Sequence, residues 1–102
     1  MEFEKSKIFD LAASVDFSDN ATVSKMVLKK QTGNITLFAF DSGQSLSEHS
    51  APFDAYVQVI EGRGRIIINR EPHDLSAGQF IVMPANMPHA VQALEKFKMM
   101  LV

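Results

Sequence analysis

Apolar residues along this chain come in short runs separated by turn-forming residues, and no stretch keeps a 3.6-residue period long enough to build a helix face. The run ATVSKMVLKK, residues 21–30, sets Val23, Met26 and Leu28 among polar neighbours. Thr32, Gly33 and Asn34 follow as turn chemistry, so a hairpin is expected. Residues Ile35 to Phe40, ITLFAF, are aromatic or β-branched at nearly every position, which predicts a strand covered on both sides. The stretch 43–62, GQSLSEHSAPFDAYVQVIEG, predicts a histidine on a short strand, a proline turn, a buried strand at Tyr56 to Ile60 and a closing glycine. Strands are further expected at Arg65 to Asn69, Phe80 to Met83, His89 to Leu94 and Phe97 to Val102. The reversals lie at 69–72, 76–78 and the proline-bounded loop 84–88. Turn signals every eight to twelve residues predict an all-β domain, an antiparallel barrel or sandwich with little helix.

Residues 1–20 mix charges with Ile8, Phe9, Leu11, Val15 and Phe17 and predict a leading strand or arm, with 21–102 as the single barrel domain. A chain of 102 residues, 46% hydrophobic, holds one core, and its small size makes a homodimer plausible. Antiparallel sheets have edges that need cover, and the leading segment could pair with its own barrel or a neighbour's.

Net charge and cysteine usage narrow the function. At −2 and without a long basic run, the chain carries no footprint for nucleic acid, and Lys25, Lys29 and Lys30 read as the wet end of a strand. No apolar run is long enough for a membrane-spanning helix, and a soluble, cytoplasmic protein is expected. With no cysteine, thiolate ligation and cysteine nucleophiles are excluded.

The remaining chemistry rests on Gly43, His49 and Gly62, then Gly78, Pro84 and His89. Their spacing resembles the two signature motifs of the cupin superfamily over roughly residues 25–102, with VIEG and GQFIVMP in the expected strands. The resemblance implies an RmlC-like jelly roll, an antiparallel β-barrel of the double-stranded β-helix type, whose members commonly pair by sheet extension. It also implies a metal site of three histidines and a glutamate. On this chain two of those positions are His49 and His89, the other two fall on Ala51 and Ala55, and Asn86 and Ala93 replace a glycine and an asparagine. Two imidazoles are fewer donors than a protein-held transition metal usually takes. Asp54 and Glu48 are out of strand phase with the pair, Asp54 reads as a cap of the turn after Pro52 or as reaching the pocket mouth, with the cap preferred, and His73 sits by a hairpin.

His49 and His89 are thus expected to converge on one pocket. Phe38, Phe40, Ala51, Ala55, Val57 and Met83 are expected to line it, with Val59 and Val91 also facing inward and missing bulk at Ala51, Ala55 and Ala93 leaving a void. Met87 and Met99 could flex around a guest. Three functions are compatible with this: binding of a small organic ligand anchored by the two histidines; a metal-dependent dioxygenase or isomerase whose divalent transition metal is held by His49 and His89 and completed by water, substrate or a further residue; or a sensing or accessory module without chemistry. Two neutral imidazoles can hydrogen-bond or accept a proton near pH 7 without a metal.

Overall fold

The structure is a computed structural model and describes residues 3–102. Among the described residues nine strands follow one 3-10 turn, Ala12–Ser14: β1 Thr22–Lys30, β2 Gly33–Phe40, β3 Ser45–His49, β4 Ala55–Glu61, β5 Arg63–Ile68, β6 Glu71–Ser76, β7 Phe80–Met83, β8 His89–Ala93 and β9 Phe97–Leu101. They form two antiparallel sheets. One has the order β1-β2-β9-β4-β7 and the other β3-β8-β5-β6. No helix among the described residues is long and apolar enough to cross a membrane.

Strand alternation sorts the side chains onto two faces. Phe38, Phe40, Val57, Val59, Ile81, Met83, Phe97 and Met99 face the second sheet and pack there against Ile66, Leu75, Val91 and Ala93. The alternate residues Leu37, Ala39, Val23, Ile60 and Met100 form a second apolar layer on the outside of the larger sheet, under Val15 and Phe17 of the arm. Residues 35–40 are therefore covered on both faces, as their composition predicts. Before β1 the described chain forms an arm with no strand. Lys98 holds it from below: its Nζ donates to the Ala12 carbonyl, lies 5.0 Å from the Phe17 ring centre and 3.7 Å from Glu61 Oε1. At the arm's end the Asp41 carboxylate accepts from the Asn20 N–H at 2.7 Å and the Ser42 N–H at 2.9 Å.

One end of the sandwich is plugged. The Phe97 ring stacks on Phe40 with centroids 4.7 Å apart, and it lies over Gly64, where an added Cβ would run into it. Gly62, at φ +75°, turns the chain from β4 into β5 against the Lys96 carbonyl, a conformation and a clearance that only glycine meets. The β5–β6 hairpin turns at Asn69 and Arg70, φ 50° and 67°, as a two-residue loop with the positive φ at both positions that suits right-handed strand twist. Its second strand carries Pro72, opposite Ile67. The proline hides this strand in the sequence, and it is tolerated because β6 is a sheet edge. Across the hairpin Arg65 makes a paired contact with Asp74, at 2.7 and 3.1 Å, which holds the Asp74 carboxyl below its ordinary range.

Two consequences are measurable. Gly64→Ala forces the Phe97 ring aside and is expected to cost about 1–3 kcal/mol, read as a drop in Tm of roughly 5–20 °C; an unchanged Tm would mean that the ring has room to spare. Lys98→Met removes a charged donor, a bond of about 1.5–3 kcal/mol, so amide exchange over residues 12–17 should quicken by about tenfold or more while β4 and β9 stay protected.

Candidate functional site

At the end opposite the plug, three loops meet. The β3–β4 loop (50–54) and the β7–β8 loop (84–88) are tied together by two hydrogen bonds: the Ala85 N–H donates to Asp54 Oδ1 at 2.8 Å and the Asn86 N–H to the Ala51 carbonyl at 2.7 Å. Asn86 adopts φ 65°, which asparagine tolerates better than most residues. The tip of the β5–β6 hairpin joins them, the Asn69 N–H donating to the Pro88 carbonyl at 2.7 Å. Asp54 thus serves as a latch between loops rather than as a cap within its own turn.

His49 ends β3 and His89 begins β8, and the two are register partners across those strands, with a bulge between Leu46 and His49. The bulge turns the last residues of the edge strand so that both imidazoles meet. Their Nε2 atoms are 3.1 Å apart and the rings stand at 70°. His49 is exposed, whereas His89 is buried at 7%. Each Nδ1 faces a backbone carbonyl two residues earlier in the chain: His49 that of Ser47 at 2.9 Å, His89 that of Met87 at 3.2 Å. A carbonyl can only accept, so each Nδ1 carries the hydrogen and donates, and in the neutral ring each Nε2 is left as a lone pair.

Two lone pairs aimed at one another across 3.1 Å are electrostatically unsatisfied. A proton on one ring would resolve this, but burial, and after it the neighbouring His49, hold the His89 imidazole below its ordinary value. The Met87 carbonyl pulls only weakly the other way. With both Nδ1 atoms donating to carbonyls, the two Nε2 atoms form a pair of acceptors that one donor hydrogen or cation placed between them could satisfy.

The other expected site residues divide by height along the barrel. Ala55 starts β4 opposite Met83 at the end of β7, and Ala51 lies in the latched loop, so these three sit at the histidine end. Val57 lies two rungs deeper with no exposed surface, and Phe38 is mid-barrel, partly buried beside Met99. Phe40 is at the other end. Gly64 pairs with Ala93 and Ile68 with His89, so plug and histidines are four rungs apart, roughly 13 Å. Phe40 is part of the floor and not of a wall beside the histidines. The void expected at Ala93 is likewise absent, since the Phe97 ring fills the space that Gly64 and Ala93 leave. Two surface concavities, of about 450 Å³ beneath the arm and about 400 Å³ beside the β6–β7 turn, touch neither histidine. His73 is on β6 with its Nδ1 3.3 Å from the Ile66 carbonyl, away from the pair. The sequence reading missed Phe53, an exposed aromatic in the 50–54 loop, which with Met87 gives the latched loops an apolar rim. Its signal was its place directly after Pro52 in a stretch that reads as a turn and not as a strand.

His49 and His89 supply two donors, fewer than a resident transition-metal centre usually takes from protein. The positions that would complete the ligand set are Ala51 and Ala55, and no group of three or more His, Cys, Asp or Glu that could hold a metal occurs among the described residues.

Comparison with known proteins agrees with this architecture. A cupin-domain family model matches residues 36–102. No curated protein matches the chain. Among solved structures, a conserved protein of unknown function from Streptococcus pyogenes is 38% identical, with a TM-score of 0.91 over 97% of this chain and 87% of that one. A cupin 2 conserved barrel domain protein from Leptotrichia buccalis is 39% identical, with a TM-score of 0.88; the match takes in 91% of this chain but only 45% of that one, so this chain spans under half of its length. A cupin superfamily protein from Desulfitobacterium hafniense shares the fold at 24% identity and a TM-score of 0.89 over 96% and 90% of the two chains. With paired signature motifs, two antiparallel sheets and a family model over most of its length, the chain belongs to the cupin family.

Proposed function

We propose that the open end of the barrel binds a small organic molecule that presents a hydroxyl or a protonated acid group to the Nε2 atoms of His49 and His89, with its apolar part against Phe53 and Met87. The observation that carries this is the pair of Nε2 lone pairs 3.1 Å apart, each fixed by an Nδ1–H bond to a carbonyl. One donor hydrogen placed between them satisfies both rings. Exposure of His49 leaves the approach open, and Met87 has the flexibility to close over guests of different shape. Ala51 and Ala55 add room where larger side chains would stand.

A second reading rests on the same separation. A metal about 2.0–2.1 Å from each nitrogen sets adjacent donors roughly 2.8–3.4 Å apart, from octahedral to tetrahedral angles, and the observed 3.1 Å lies in that range. Water or substrate would have to supply all the others.

Nitrogen-15 NMR of the imidazoles tests the foundation: both rings should be Nδ1–H tautomers at pH 7.5, and an Nε2–H ring would remove the basis of the proposal. Screening small phenols, enols and carboxylic acids by chemical-shift change should find ligands whose affinity falls about tenfold or more in His49→Ala, the worth of one good hydrogen bond. Ligands indifferent to that substitution would overturn the reading. Stoichiometric metal in the purified protein, with thermal stabilisation by Zn, Ni, Mn, Fe or Cu that His49→Ala abolishes, would establish the second reading instead.

Stability should also depend on pH. His89 binds its proton less readily in the folded chain than in the unfolded one, so its contribution is present above 6.5 and drains away as the pH falls below that value. Tm is expected to fall between pH 7.5 and roughly 5.5, and to fall less steeply in His89→Gln; parallel curves for the two proteins would contradict the assignment.

A further inference from the structure

The two carbonyls that set the hydrogen positions of the histidine pair are held in different ways. The Ser47 carbonyl lies within β3 and accepts from His49 Nδ1 at 2.9 Å. The Met87 carbonyl belongs to the 84–88 loop and stands 3.2 Å from His89 Nδ1. For His89 either tautomer has an acceptor within reach. With its hydrogen on Nδ1 the ring donates to Met87; with its hydrogen on Nε2 it donates to His49 Nε2 across 3.1 Å. The second arrangement satisfies the pair from within and leaves no free lone pair between the rings for a guest. Which of the two is adopted depends on where the loop holds the Met87 carbonyl.

The loop is fastened on both sides of Met87. Before it, the Ala85 N–H donates to Asp54 Oδ1 at 2.8 Å and the Asn86 N–H to the Ala51 carbonyl at 2.7 Å; after it, the Pro88 carbonyl accepts from the Asn69 N–H at 2.7 Å. Two of these three ties join backbone to backbone, so the side chains do not decide them. Apart from the His89 ring itself, Asp54 is the only side chain among the described residues that hydrogen-bonds to this loop. It forms no ion pair among the described residues. Consecutive N–H groups, Ala85 and Asn86, are thus bound to the same 50–54 loop, which stops the peptide between them from rotating. Held at Asn86 and Pro88 alone, the loop could turn about the line joining those residues and carry the Met87 carbonyl with it.

We infer that Asp54 is the positioning residue of the histidine pair: its hold on the Ala85 N–H keeps the Met87 carbonyl against His89 Nδ1, and so keeps both Nε2 atoms as acceptors. Given the binding proposed for those two lone pairs, on which this role rests, a carboxylate bonded to neither imidazole decides whether the pair is open to a guest or closed on itself.

Nitrogen-15 NMR of the imidazoles in the full chain at pH 7.5 tests this. In Asp54→Ala, with the β-sheet circular dichroism unchanged, His89 should pass from Nδ1–H to mainly Nε2–H while His49 stays Nδ1–H, and amide exchange at Ala85 should quicken. Asp54→Asn retains a side-chain oxygen that can accept from the Ala85 N–H, so it should restore the wild-type tautomers and the slow exchange. Where Asp54→Ala does not fold, Asp54→Ser, whose oxygen stops short of the Ala85 N–H, gives the same comparison. A His89 that stays Nδ1–H in a folded Asp54→Ala, or that is Nε2–H in Asp54→Asn as well, would overturn the role of Asp54 and leave the two-histidine binding in place. An Nε2–H ring in the wild type would instead remove the binding proposal and this role with it.

Discussion

The seating of Phe97 over Gly64 is the contact on which the rest of the molecule depends. Because the ring occupies the space of a missing side chain, β9 and β5, which belong to different sheets, are drawn together and one end of the sandwich is sealed. The stack on Phe40 then fixes β2 at the same depth. With that end closed, the register of β5 against β8 runs without interruption from Gly64–Ala93 to Ile68–His89, and His89 is delivered to the far end at a set height. The functional end is thus measured from the plug.

Sidedness is the second organising fact. Both faces of the larger sheet are apolar, and only one faces the barrel core. The chain answers part of the problem with its own arm, pegged by Lys98, whose stem crosses an apolar layer while its ammonium reaches a carbonyl, an aromatic face and a carboxylate. A lysine under an arm is a compact fastening, since it supplies apolar cover and a strong donor from one side chain.

Much of this was legible in the sequence where short-range chemistry decides the outcome. The alternation in residues 56–60, the double-faced run 35–40, the glycine at 62 and the spacing around His49 and His89 each follow from strand periodicity or φ requirements, and they locate the strands and bring the two histidines together. What was not legible depends on depth and on the backbone. Strand parity says that Phe40 points inward but not at which end, and it cannot show that Phe97 fills the space beside Ala93. Pro72 masks an edge strand because the tolerance of an edge is a property of sheet order. The carbonyls of Ser47 and Met87 that fix the imidazole tautomers have no residue signature at all.

The two histidines stand on unequal supports. His89 is on β8, flanked by β3 and β5, while His49 is on β3, bonded on one side only and bulged just before the ring. Opening of an edge strand costs less than opening of an interior one. The spacing between the two nitrogens is therefore held by a fixed jaw and a compliant one, and a guest that draws His49 closer or pushes it away works against the softer of the two. For the binding proposed at this end, such an arrangement would accommodate guests of somewhat different reach, with the adjustment confined to the edge while the plugged end and its register stay still.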